Sequence, residues 1–474
     1  MNNDRFTDFD DEVKQLVLDF ERTVMRGESQ FYDIDELEMI IDYYLEVDDK
    51  EPLISAIHLA ERLYPDSIEV KIRRAHWYVL NKENDKALSL LQSLERQDPS
   101  DTDVAYSLGV VYGEMGESRK AIQYYLRAAG DGWQLGRIYA NIAEEYVRLQ
   151  QWHDAIQYYM QAFRTDSYDE QTLYNYLDTC EEADACDEAC EFLELYVNDH
   201  PYSKIGWYCY GCVCRDLGLA ERAVDAFEYA IAIDKNYASA YYELALAYEQ
   251  LDRIGEAATA LTRALDSVSL HGDIYRALGQ LFLRHDNFDT ALLYLRKAVD
   301  ENPADAEALA GIGLCQLYLG DDTSALASAR KALAIDPQCP DALFCSALVY
   351  DGRDNVDAAS DIYERLVASP RANEGHCRFY TLFLFKHAIY DILIEFAEES
   401  LQLYPHDVFY STYVAAAYFY TNRYNRFRRV LVDVQPSLLR QLCPQAWDNQ
   451  ALAPSSPPCT TIANKQNNQN TLTN

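Results

Sequence analysis

Six cysteines fall between residues 180 and 214: Cys180, Cys186, Cys190, Cys209, Cys212 and Cys214. Cys209-x-x-Cys212 has a spacing seen at zinc sites, and Cys186 with Cys190 could supply two more thiolates. The surrounding pattern, however, puts Cys209 and Cys212 on one helix face rather than in a zinc-knuckle turn, so no metal and no cofactor are expected. The nine histidines are scattered, and His200, near the cysteines in sequence, completes no triad. There is no Gly-rich phosphate loop, no HExxH and no GxSxG. Carboxylate pairs such as Glu144–Glu145 and Glu181–Glu182 read as solvated faces. The short basic run Arg426-Phe427-Arg428-Arg429 is expected to balance the acidic body or to contact the tail. No catalytic residue is expected.

The elements that carry these residues recur at a fixed interval. Residues 102–135 and 136–169 align position for position over 34 residues, AIQYYLRAA against AIQYYMQAF. Such a period marks a helix–turn–helix repeat, each unit burying its apolar face against the next. From Ile34 the frame runs to Gln441 without insertion or deletion, which makes twelve units. Position 8 is small in nine of them (Ala75, Gly109, Ala143, Gly211, Ala245, Gly279, Gly313, Ala347, Ala415), and position 20 is Ala in nine consecutive units, Ala87 to Ala359. Two helices approach closely where side chains are small, so these positions are expected to touch. Position 11 is mostly aromatic (Tyr112, Tyr146, Tyr248), and position 24 is often large (Tyr125, Tyr159, Phe227). Cys180 and Cys214 occupy position 11 and are expected in the core as small hydrophobes. Pro recurs at position 32, as at Pro65 and Pro99, where it stops the second helix.

Three segments follow. Residues 1–33 hold a helix over 10–26 with Val13, Leu16, Val17, Phe20 and Val24 at helical spacing, expected to cap the array. Residues 34–441 are the array, with units 1, 11 and 12 departing most: Leu53, Leu393 and Phe427 stand where Ala is expected. Residues 442–474 are rich in Pro, Asn, Gln and Thr and are expected to form a disordered polar tail.

Seventy-eight Asp and Glu against 41 Lys and Arg give a formal net charge of −37. Such a surface repels nucleic acid and anionic lipid; it favours basic partners, or keeps a long array soluble. No run approaches the length of a membrane span, and the N-terminus shows no secretory or transit pattern. Twelve cysteines in that setting point to free thiols and a cytoplasmic location.

This pattern resembles the tetratricopeptide repeat, best seen in the unit at Lys204 with Trp207, Gly211, Ala223, Phe227 and Ala230. The whole looks like a bacterial tetratricopeptide-repeat protein built almost entirely of repeats. The resemblance implies an all-α fold, a right-handed superhelical solenoid of about twelve units. It also implies that the first helix of each unit lines a groove through positions 2, 5, 6, 9, 12 and 13. Tyr106, Tyr174, Tyr208 and Tyr242 fall at position 5, Asn141 and Asn175 at position 6. Arg137, Arg215 and Arg276 fall on the same surface, with Arg73, Arg148 and Arg284. These residues are expected to bind a peptide, Tyr as platform, Asn as backbone clamp and Arg as carboxylate or phosphate contact. The Lys–Asn–Asn–Lys–Arg set of members that hold chaperone C-termini is missing, and unit 1 presents Asp35, Glu38 and Asp42 there. The resemblance thus points to a non-catalytic interaction scaffold. A repeat-based, transferase-like enzyme or enzyme accessory subunit, and a structural protein self-associating through the tail, are the alternatives.

Overall fold

The computed structural model describes residues 11–26, 31–47, 49–132, 134–165, 170–265 and 271–448. Every regular element among them is a helix. The chain divides into two compact units, Met1–Asp252 and Arg253–Asn474.

In the first, α1 (Asp11–Arg26) precedes antiparallel pairs: α2 (Ile34–Glu46) with α3 (Lys50–Leu63), α4 (Ile68–Leu80) with α5 (Asn84–Glu95), α6 (Thr102–Glu114) with α7 (Ser118–Ala128), α8 (Leu135–Arg148) with α9 (Trp152–Ala162), α10 (Gln171–Glu182) with α11 (Cys186–Asp199), and α12 (Lys204–Asp216) with α13 (Ala220–Ile233). It ends on α14 (Ala238–Gln250). The second unit opens on α15 (Ile254–Ala264) and continues with α16 (Gly272–Arg284) and α17 (Phe288–Glu301), α18 (Ala306–Tyr318) and α19 (Asp322–Ile335), α20 (Pro340–Gly352) and α21 (Val356–Val367), α22 (Glu374–Lys386) and α23 (Tyr390–Leu403), α24 (Val408–Tyr420) and α25 (Tyr424–Val430). Two short helices follow, α26 (Pro436–Leu442) and α27 (Gln445–Asp448). The all-α repeat solenoid expected from the 34-residue frame is what forms. Second helices begin every 34 residues from Lys50 to Tyr424, and first helices keep the frame except α8 and α10, each displaced by one residue.

Three local devices reset at each period. The first is a cap: the side chains of Asp33, Ser67, Asp101, Ser203, Asp305, Asn373 and Asp407, all at the same frame position, accept backbone N–H bonds from the first turn of the helix that follows. The second is the turn inside each hairpin. Lys82, Gly116, Gln150, Asp184, Gly218, Asp252, Asp286, Gly320, Asp354, Ala388 and Asn422 are spaced by 34 and all have left-handed backbone, φ between 55° and 86°. In ten of these turns the next N–H reaches back to close the helix, as from Glu117 to the Tyr112 carbonyl at 2.9 Å. Gly, Asp and Asn dominate because they enter this region at least cost.

The third device is packing. All nine position-20 alanines are fully buried. At position 8 the partner is the large residue at position 24: a Cβ on Gly109 would lie 2.6 Å from the Tyr125 ring, and one on Gly211 2.6 Å from Phe227. Where Ala is lost from position 20, Leu53, Leu393 and Phe427 are buried in its place, so the atypical units keep the same core with more volume. Position 11 rings stack on a neighbour from the second helix, Tyr112 on Tyr124 at 5.3 Å and Tyr146 on Tyr158 at 5.4 Å. Most consecutive first helices within each unit lie backbone to backbone (α4 with α6, α10 with α12, α18 with α20), while no consecutive second helices do so to the same extent. First helices therefore form an inner layer.

The ends are covered. Val17 and Phe20 of α1 are buried, Phe20 against Tyr32 and Tyr44 at 5.9 and 6.2 Å; the Val24 side chain lies outside the described residues. At the other end α26 packs on α24, with Leu439 buried and Tyr420 donating to the Leu442 carbonyl at 2.7 Å. Cys443 and Ala446 are also fully buried, so packed chain continues past residue 442 to Asp448. The remainder of the expected tail, 449–474, lies outside the described residues.

Candidate functional site

The expected groove residues sit on the inner helices, Tyr106 to Tyr242 in the first unit and Arg276 in the second. They do not form one constellation. Two clusters stand in the first unit. In the earlier one, Asn141 of α8 donates to the Tyr106 hydroxyl of α6 at 3.0 Å, and the Arg137 guanidinium lies 5.7 Å from the Tyr106 ring centre. The amide thereby ties consecutive repeats together, and Arg137 is exposed with no ion pair among the described residues.

The later cluster centres on α10 and α12. Tyr174 and Tyr208 meet edge to face at 5.9 Å, and both are half-buried. Tyr237 joins them: its hydroxyl bonds that of Tyr174, and its ring lies 5.2 Å from Tyr208. Burial first, then the partner hydroxyl, push the Tyr237 phenol well above its usual range, so it stays protonated. Asn175 donates to Glu144 of α8 at 3.2 Å and accepts from Gln171 at 3.2 Å. Tyr242 on α14 is 44% exposed.

The arginines are largely committed. Arg215 holds Asp216 at 2.7 Å and also pairs with Glu243. Arg276 contacts Asp273, Asp305 and Glu307 at 2.9, 2.8 and 3.6 Å. Arg73 bridges Glu38 and Asp42, and Arg148 pairs with Glu145 and the Gly113 carbonyl. In this acidic chain cations are neutralised by the nearest carboxylates, so these four side chains meet intramolecular acids where a carboxylate or phosphate contact was expected.

Tyr237 was not among the expected residues. It stands one position before α14, where other units carry a Ser or Asp cap. An aromatic at a capping position was the available signal. Of the carboxylates near the row, Asp178 was likewise not among the expected residues, and Glu181 was expected only as part of a solvated face.

The cysteines behave as core. Cys180, Cys190, Cys209, Cys212 and Cys214 are buried, and Cys190 Sγ lies 3.9 Å from Cys214 Sγ. Burial pushes the thiols of Cys180, Cys212 and Cys214 up to about 12. Among the described residues no group of three or more His, Cys, Asp or Glu is placed to hold a metal ion, and no helix is long and apolar enough to cross a membrane.

Two family models, both described as tetratricopeptide repeat, match residues 102–130 with 136–169, and 212–270 with 276–340. The TPR repeat-containing protein YpiA of Bacillus subtilis is 21% identical over 323 residues, covering 60% of this chain and 68% of that protein. The bovine (Bos taurus) BBSome complex member BBS4 is 26% identical over 169 residues, covering 34% of this chain and 32% of its own length. Among solved structures, the APC/C hetero-tetramer Cut9–Hcn1 aligns at TM-score 0.41 and 15% identity, covering 86% of this chain and 93% of that one. With the repeat frame, its caps and turns, and the two family models together, the chain carries tetratricopeptide repeats.

Proposed function

We propose that this repeat protein is a non-catalytic adaptor that captures a segment of a partner protein on the inner helices of its first unit. The observation that carries the reading is the row of tyrosines at one frame position, Tyr174 and Tyr208 half-buried and Tyr242 exposed, on consecutive helices α10, α12 and α14. Pre-ordered rings offer contact area at little entropic cost. Asn175 stands beside the row, its carbonyl oxygen held by Gln171 and its amide by Glu144. This reading assigns the Asn175 amide as the clamp on a partner backbone, in exchange for its contacts to Glu144 and Tyr159. A cytoplasmic setting agrees with the many buried thiols.

The test is capture from cell lysate by the intact protein and by Tyr174→Ala/Asn175→Ala. A partner held by the first and lost by the second supports the inner face of α10 and α12 as the site. A partner held equally by both places function elsewhere on the chain and refutes the tyrosine–asparagine assignment.

A further inference from the structure

The tyrosine row has a chemical preference of its own. Elsewhere on this inner layer the fold already lays cations over such rings. Lys204 Nζ stands 5.6 Å from the Tyr237 ring centre, and Arg137 takes the same place over Tyr106 at 5.7 Å. Tyr242, by contrast, carries no ring or cation contact among the described residues and offers an open face.

The hairpin beside the row carries charge of one sign, while Lys204 at the row's edge is paired with Asp234. From Glu170 to Asp199, the hairpin of α10 and α11, there are ten Asp and Glu and no Lys or Arg. Asp178 and Glu181 follow Tyr174 by four and seven residues, so all three share one helix face. Both carboxylates are exposed and neither forms an ion pair among the described residues. Burial first, then the neighbouring Asp216 and Asp178, hold the Glu181 carboxyl above its usual range against the opposing pull of Arg215. Arg215, the cation that acts on Glu181, is already engaged by Asp216 and Glu243.

We infer that the face formed by α10, α12 and α14 binds a basic segment of a protein partner, with Lys or Arg stems across the tyrosine row and their heads toward Asp178 and Glu181. The inference deepens the adaptor reading and rests on it. A long cationic side chain satisfies both halves of the face, since its stem covers ring surface while its head meets carboxylate. An acidic or phosphorylated segment would meet like charge and be turned away.

The test uses the full-length chain and a labelled peptide of alternating Lys and Ser, with its Gln/Ser and Glu/Ser counterparts, followed by fluorescence anisotropy. The Lys peptide is expected to bind at least about tenfold tighter than the Gln peptide, with affinity falling as salt rises. Asp178→Asn/Glu181→Gln and, separately, Tyr242→Ala should each weaken it by about fivefold or more. The charge-matched change Asp357→Asn/Asp361→Asn, on exposed residues of α21, should leave it unchanged. Circular dichroism confirms that each variant is folded. Equal weakening by the two charge-matched pairs means diffuse attraction and overturns the site. Absence of a Lys preference overturns the cationic chemistry. In that second case a lysate partner lost on Tyr174→Ala/Asn175→Ala would still uphold the groove, so the two readings fail separately.

Discussion

At the scale of single residues, burial decides what the thiols can do. A thiolate is the reactive form, and an apolar setting withholds it. Cys180, Cys209, Cys212 and Cys214 are buried with thiols pushed far up, whereas Cys186 and Cys377 are only partly covered. Iodoacetamide at pH 8 followed by peptide mass mapping should therefore modify Cys186 and Cys377 in the native chain well before those four. Denaturant should equalise them. Early modification of Cys212 or Cys214 would contradict the packing. The core role of Cys180 and Cys214 was legible in the sequence, because both fall where other units place a buried ring. The fate of the arginines was not. Whether Arg215 faces a ligand or Glu243 depends on which carboxylate the neighbouring repeat brings alongside, and a spacing rule along one helix does not contain that.

At the scale of the helical hairpin, the left-handed turn is where residue choice and backbone disagree most. Eight of the eleven described positions carry Gly, Asp or Asn, but Lys82, Gln150 and Ala388 adopt φ of 62°, 58° and 55° without that advantage. Ala388 is exposed, so nothing in its side chain offsets the strain. Ala388→Gly should stabilise the protein by about 0.5–1 kcal/mol, and Gly320→Ala should cost about 1 kcal/mol, read as shifts in denaturant midpoint. A loss of stability in Ala388→Gly would mean that the turn is not in this region. The 34-residue recurrence of Gly, Asp and Asn at this position was present in the sequence, as was the recurrence of caps. Both are visible only once the frame is fixed by the larger, apolar pattern. The closing helix α26 was hidden for another reason: seven residues are too few for a periodic stripe, and its place depends on meeting α24.

At the scale of the whole molecule, a repeat array is held by contacts between neighbours, so damage should stay local. A Cβ at Gly279 would come 2.4 Å from Leu295 Cγ and 3.2 Å from the Leu295 backbone nitrogen. Gly279→Ala is thus expected to cost roughly 1–3 kcal/mol. Hydrogen exchange read by mass spectrometry should show faster amide exchange over α16, α17 and α18, with α23 and α24 unchanged. Uniform acceleration across the second unit would show long-range cooperativity instead. The fold class was readable from periodicity, whereas the face proposed for a partner was not, since which exposed side chains meet there depends on how neighbouring helices pack.

The unbroken frame also bears on how such a chain changes over generations. The left-handed turn inside the hairpin recurs every 34 residues at eleven described positions, so an exchange between two aligned repeats in the gene adds or removes one whole hairpin with its turn in place. The run Ala121–Tyr125 is repeated letter for letter at Ala155–Tyr159. Those two hairpins are where misaligned recombination would pair most readily, and length variants of the protein should differ there by whole repeats.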